Sequence, residues 1–228
     1  MKSYIKCIAL LVTFGVFTSF AAESADPTEA VENKSNNNSI RVRISSAPGI
    51  DTIEDSDGSF DIDEGGGSRV DVMYARRFSG LWGNSDSNFG GVIAGGVFFG
   101  SHSGSFLGII DVDPITIETD LTTFGGIIEG GLIYKADDSI VLEITPYFGF
   151  GGAQNETTLA TDGSGPMIIY GINGSVFVLL SDNIELGLQA GYGGFSHDQD
   201  FADEFGVTET VTFSGSGATF GGVLVIKF

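Results

Sequence analysis

Carboxylates set close together are the groups in this sequence with the plainest chemical capacity. Asp55, Asp57, Asp61 and Asp63 fall within the stretch Asp55-Ser56-Asp57-Gly58-Ser59-Phe60-Asp61-Ile62-Asp63-Glu64, and oxygen ligands so spaced can wrap a hard cation such as calcium. The stretch departs from the EF-hand template, with Phe60 where the turn glycine belongs and Gly66 where the bidentate glutamate belongs. A solvated acidic loop is therefore the plain expectation and a calcium loop the sharper one. Asp198, Asp200, Asp203 and Glu204 form a similar cluster further on. The two histidines, His102 and His197, are candidate general bases, and Cys7 is the only thiol.

A second set of polar residues is spaced quite differently. Arg41, Arg43, Arg69, Asp71, Arg77, Glu129, Glu143, Glu185, Gln189 and Lys227 each occupy a polar position in a segment where apolar and polar or small residues alternate. In Ile184 to Tyr192 every even-numbered residue is apolar, and every odd-numbered one is polar or glycine. Ile140, Leu142, Ile144, Pro146, Phe148 and Phe150 likewise oppose Glu143, Thr145, Tyr147 and Gly149. Val70, Val72 and Tyr74 oppose Arg69, Asp71 and Arg77, and Ile40 to Ile44 repeats the pattern. Alternation with period two is the mark of a two-faced strand, and no segment sustains a helical period. Four more segments, 89 to 102, 119 to 135, 166 to 180 and 211 to 228, bring the candidates to eight.

Around these segments the sequence divides into three parts. Residues 1–21 read as a secretory signal peptide: Lys2 and Lys6 precede an apolar run from Ile8 to Phe17, and Ser19-Phe20-Ala21 offers a cleavage site. Cys7 lies within that segment, so the processed chain is expected to hold no disulfide or thiolate metal site. Residues 22–38 are polar and aperiodic and read as a flexible tether. Residues 39–228 carry the strands. No later stretch reaches the roughly 18 apolar residues of a membrane helix, so any crossing of a membrane must be made by strands.

Composition narrows the partners. The net charge of -20 becomes -22 once Lys2 and Lys6 are removed, yet 42% of residues are hydrophobic and the chain has 19 Phe. A disordered acidic protein would be poor in aromatics, so acid and apolar residues must be segregated. This charge argues against nucleic acid or an anionic surface as a partner, because phosphate binding needs clustered Lys and Arg.

The connections alternate in length. Ala136-Asp137-Asp138-Ser139 and Ser181-Asp182-Asn183 are tight polar turns, with a looser one from Ser79 to Asn88. Longer connections are expected near 48 to 67, 103 to 118, 154 to 165 and 198 to 210. Short turns on one rim and long loops on the other are the layout of a membrane barrel. The fold class expected is all-β, an eight-stranded antiparallel up-and-down transmembrane β-barrel.

What separates such a barrel from a soluble sandwich is the polar face. Neither Lys nor Arg occurs between Arg77 and Lys135, or between Lys135 and Lys227, and long strands without basic gatekeepers aggregate in water. In lipid the outward face must be apolar, while charges are tolerated in a lumen where they can pair. An eight-stranded lumen is only just wide enough to be filled by side chains. The ten polar residues are accordingly expected to point inward as a paired plug, or as a gated ion path.

The last strand places Phe220, Leu224, Ile226 and Phe228 on one face. This resembles the terminal signature of bacterial outer-membrane barrels, which implies recognition by the barrel-assembly machinery; Ile226 departs from it, an aromatic being common there. Residues 39–228 look like the eight-stranded group that includes the OmpA transmembrane domain, OmpX/Ail and opacity-type proteins, with no diagnostic internal motif. The resemblance implies an integral outer-membrane location and contact with lipid and lipopolysaccharide; the peptidoglycan-binding domain that follows the barrel in full-length OmpA is not expected after Phe228. Some small barrels deacylate lipid A with a His and a Ser two residues later on one strand face. Here Ser103 points away from His102, Ser105 has the wrong parity, and His197 is followed by Asp198, so no enzyme is expected.

Strand character on both sides of Asp113-Pro114 further resembles the exposed hairpins of the OmpX/Ail group, which implies an extracellular protein partner. Acidic outer loops bridged by divalent cations to lipopolysaccharide phosphates are a related expectation. Three function classes remain: a barrel with envelope-structural or surface-interaction duties, a narrow porin-like diffusion channel, and a lipid-modifying enzyme.

Overall fold

The computed structural model describes residues 37–56, 58–62, 64–79, 88–110, 113–157, 163–202 and 208–228. The expected signal peptide and most of the polar tether lie outside the described residues, as do Asp57, Asp63, Asp203 and Glu204. Among the described residues the chain forms β1 (Asn38–Ala47), β2 (Thr52–Asp55), β3 (Gly58–Asp61), β4 (Glu64–Ser79) and β5 (Phe89–Ile110). There follow β6 (Asp113–Lys135), β7 (Ile140–Thr157), β8 (Gly163–Ser181), β9 (Ile184–Ala202) and β10 (Thr208–Lys227).

Every pairing is antiparallel, and the strands neighbour one another in the order β1-β4-β5-β6-β7-β8-β9-β10. β1 then pairs with β10, from Ser39 against Lys227 to Ser45 against Gly221, and this closes an eight-stranded up-and-down barrel. Closure leaves no long edge of unpaired backbone groups. Phe228 is tied in as well, its amide donating to the Asn38 carbonyl at 3.1 Å and its ring lying 6.3 Å from that of Tyr74. The turn at Asp137 is held locally, with the carboxylate accepting from the amides of Ser139 and Ile140 at 2.7 and 2.8 Å.

The alternation read from the sequence becomes an inside and an outside. Along β9, Glu185, Gly187 and Gln189 are buried while Leu186, Leu188 and Tyr192 are exposed, Leu188 by 74%. Ile128, Phe150, Leu180 and Phe220 belong to the same outward apolar surface. In water such a surface would be far larger than the few hundred Å² a soluble monomer leaves open.

Two expectations need correction. The connection expected at 103 to 118 is mostly strand: β5 and β6 run for 22 and 23 residues and pair from Phe89–Tyr134 up to Ile110–Asp113. The connections expected at 154 to 165 and 198 to 210 are likewise shortened from both sides, by β7 and β8 and by β9 and β10. A span of lipid needs only about 9–11 residues per strand; beyond it the outward face meets water, so the apolar period that marks a strand fades while the pairing continues. The second correction concerns the first loop, which folds into the hairpin β2–β3 and adds to β10 through Thr212–Glu54, Phe213–Ile53 and Ser214–Thr52. β1 is only 10 residues long, and the hairpin covers the part of β10 that β1 does not reach.

Candidate functional site

The lumen is where the charged residues meet, because inward positions on eight different strands converge on a narrow space. Arg41 on β1 donates to both oxygens of Glu143 on β7, Nη1 at 2.8 Å and Nη2 at 3.0 Å. Its Nη1 also lies 3.5 Å from Glu129 on β6. Arg43 donates to the other Glu129 oxygen and, at 3.1 Å, to Asp71 on β4. Arg69 approaches Asp71 through Nε at 3.0 Å. Toward the rim of short turns, Arg77 joins Glu143 at 2.8 Å to Glu185 at 2.8 and 2.7 Å, and Lys227 closes on Glu185 at 3.1 Å.

The result is one continuous ladder of alternating sign: Lys227, Glu185, Arg77, Glu143, Arg41, Glu129, Arg43, Asp71, Arg69. Each interior member touches two of opposite charge, and this is what makes burial of so many charges tolerable. Aromatic faces complete the packing: Arg41 and Arg77 lie over Phe177 at 5.7 and 5.2 Å, and Arg69 over Tyr147 at 4.5 Å. Glycines make room for these side chains; a Cβ on Gly171 would meet the Tyr147 hydroxyl at 2.7 Å.

Above the ladder the lumen changes character. Phe98, Leu121, Met167, Ile169, Phe195 and Phe213 point inward and pack in one cluster with Ile50, which is wholly buried. Ile50 arrives from the first loop, where the segment Pro48-Gly49-Ile50 folds in over the barrel. The Ile50 amide donates to Ser103 on β5 at 2.9 Å, and the Asp51 amide to Ser214 on β10 at 2.8 Å. Such an approach requires glycine: a Cβ at Gly215 would overlap the Gly49 carbonyl, and one at Gly104 would press on Ile50 at 3.0 Å. This inward fold was invisible in the sequence, where Pro-Gly reads only as a turn.

His102 holds the segment from below, its Nδ1 lying 2.7 Å from the Pro48 carbonyl and its ring 4.1 Å from that of Phe195. With a carbonyl as partner, Nδ1 must be the protonated nitrogen. Burial pushes the His102 pKa down to about 4; the Pro48 carbonyl opposes this and the nearby Arg69 charge adds to it. His197 follows the same plan, with Nδ1 2.9 Å from the Pro166 carbonyl and its ring stacked on Phe213. Ser103 donates its hydroxyl to the Gly66 carbonyl.

Of the ten residues expected in the lumen, nine form the ladder. Gln189 faces inward and is buried, but neither of its amide atoms has a partner among the described residues. Phe220, Leu224, Ile226 and Phe228 share the outward face. Of the acidic loop's candidate aspartates only Asp55 and Asp61 lie among the described residues, and these two are apart: Asp55 sits opposite Gly58 at the hairpin turn, where it accepts from the Gly58 amide at 2.9 Å, whereas Asp61 sits opposite Thr52 at the base. Three strand positions separate them, roughly 10 Å. Among the described residues no three His, Cys, Asp or Glu side chains come together as a metal site. Asp198 and Asp200 are engaged by Thr212 and Thr210 across the β9–β10 pair at 2.9 and 2.7 Å.

No family model and no curated protein matches this chain. Among solved structures it is similar to Ail, the attachment invasion locus protein of Yersinia pestis, at 12% identity over 80% of this chain and 99% of that one, with a TM-score of 0.33. Neisserial surface protein A is matched at 14% identity over 84% and 97%, with a TM-score of 0.35. The transport unit of the autotransporter AIDA-I from Escherichia coli is matched at 8% identity over 95% and 98%, with a TM-score of 0.37.

Proposed function

We propose that this chain is an integral protein of the bacterial outer membrane, with a filled lumen, that serves envelope structure and surface contact rather than transport or catalysis. The observation that carries the reading is the inversion of polarity: Leu186, Leu188 and Phe220 face outward while Arg41, Arg43 and Glu129 are buried within. Lipid on the outside and paired charge on the inside is the arrangement a membrane barrel needs. The filled lumen favours a structural role over a channel. The placing of Ser103 favours it over an enzyme, since its hydroxyl donates to the Gly66 carbonyl and does not meet the neighbouring imidazole.

Surface contact is assigned to the ribbon formed by the ends of β5 and β6. β4 stops pairing with β5 at Glu64–Ser105, and β7 stops pairing with β6 at Thr157–Thr119. Among the described residues, 106–110 and 113–117 are paired in the sheet only with each other, and the outer edge of such a ribbon suits an extended segment of a partner protein. At the same end Glu54, Asp198, Asp200 and Glu209 make the rim acidic, and divalent cations there would bridge to lipopolysaccharide phosphates; loss of native-gel stability on chelation checks this, and indifference to chelator contradicts it. The outward face ending on Phe228 is the one we assign to the barrel-assembly machinery. Gel mobility tests the main reading: the folded protein is expected to migrate differently before and after boiling, and planar bilayers holding it are expected to show no unit conductance. Identical mobility overturns the membrane barrel, and steady single-channel current overturns the filled lumen.

A further inference from the structure

The hairpin of the first loop ends in a strand with one open side. β3 pairs with β2 and closes the order of strands, so among the described residues no strand pairs with its other edge. All four residues of β3 are exposed. The hairpin is nonetheless held in place. β2 pairs with β10, the Asp51 carboxylate accepts from the Ser216 amide at 2.7 Å, and Glu209 accepts from the Ser56 amide at 3.2 Å. A strand edge fixed in advance loses little freedom when another strand joins it.

The two faces of the hairpin differ. Ile53 and Phe60 are cross-strand partners and so share one face. Ile53 packs on the lumenal apolar cluster, whereas Phe60 is 53% exposed, an aromatic set apart from the apolar surface of the barrel wall. The opposite face carries the pairs Glu54–Ser59 and Thr52–Asp61, and both carboxylates are exposed. Segment 51–64 as a whole has seven carboxylates and neither Lys nor Arg. A strand added outside β3 therefore meets an aromatic ring on one face and carboxylate on the other. Because strand side chains alternate, it satisfies both by alternating apolar with basic residues.

The described part of this chain does not supply such a segment. Arg41, Arg43, Arg69, Arg77 and Lys227 are engaged in the lumen. Arg76, opposite Asn38, and Lys135, beside the turn at Asp137, lie toward the rim of short turns. A second copy of the chain would set the same carboxylates against one another, and like charges across a strand pair are destabilising.

We propose that the free edge of β3 receives an extended segment of another protein in which Lys or Arg alternates with apolar residues. This edge is separate from that of the β5–β6 ribbon. The two share the premise that this end faces outward, and binding in detergent tests the β3 edge without that premise.

The probe is a fluorescently labelled peptide of about eight residues, alternating Lys and Val, titrated with the full-length folded protein in non-ionic detergent and read by anisotropy. Saturable binding is expected, weakened by about 0.5 M salt. Replacing each Val by Pro keeps the charge but breaks strand pairing, and is expected to abolish binding. Phe60→Ser, at an exposed ring, is expected to weaken binding about tenfold. Asp61→Asn should weaken it several-fold, whereas Asp120→Asn, an equal change of charge at an exposed position of β6, should keep the affinity. The heat-dependent gel shift checks that each variant is folded. Equal binding of the Pro peptide overturns the strand edge, as does parent affinity in Phe60→Ser. A loss in Asp120→Asn as great as in Asp61→Asn, or no binding by the parent, overturns it as well.

Discussion

Between the rim of short turns and Asp71 the lumen is filled by side chains that hold one another by charge; above it, from Phe98 to Phe213, apolar and imidazole side chains lie under a backbone segment folded in from the first loop. The lower region is self-consistent: each interior carboxylate meets two cations, and the members come from β1, β4, β6, β7, β9 and β10. The upper region depends on fit, since Ile50 can enter only because Gly104 and Gly215 carry no side chain. A narrow tube can thus be closed by charge pairing or by close packing, and the two respond to different perturbations.

The ladder breaks most readily at its middle. Glu129→Ala removes the carboxylate that joins Arg41 to Arg43, and leaving buried guanidinium groups short of a partner is expected to cost about 3–5 kcal/mol, read as a lowered urea midpoint of the detergent-folded protein. Acid probes the upper region instead. His102 lies beyond the outward apolar run of β5, which ends at Phe99, and its pKa is about 4 when folded against 6.5 as the ordinary value. The unfolded chain therefore takes up this proton first as the pH falls. His102 contributes a loss of stability that begins near pH 6.5 and is complete below about pH 4, roughly 3 kcal/mol in all. Stability measured across that range should lose this component in His102→Gln.

What could be read from the sequence divides along the same line. Parity alone placed Arg41, Glu143 and Glu185 inside and Leu188 and Phe220 outside, because a period of two leaves no other face for them. Which charges pair was not legible: Arg41 meets Glu143 across 102 residues and Arg77 meets Glu185 across 108, and those meetings follow from register and barrel closure. The entry of Ile50 was hidden for a related reason, since it rests on Gly215, far along the chain on β10. The extended β5–β6 ribbon was half legible, as strand pairing outlasts the apolar alternation that reveals it.

Smaller perturbations sharpen the contrast. Ile50→Ala is expected to cost about 2–3 kcal/mol, toward the lower end for a buried isoleucine because a loop segment can settle into the space. Its ladder should survive, so the heat-dependent gel shift is expected to remain. Thr212→Val removes the hydroxyl that reaches exposed Asp198 and should change the midpoint by less than about 0.5 kcal/mol. An effect as large as that of Ile50→Ala would assign the rim a structural weight that the account does not give it.

The central claim is that the apolar face looks into lipid. A spin label at Leu188→Cys, in a Cys7→Ser background and in lipid vesicles, reports this directly through collisions with two relaxing agents. The account predicts strong relaxation by lipid-soluble oxygen and weak relaxation by a water-soluble nickel complex; the reverse ranking would contradict it.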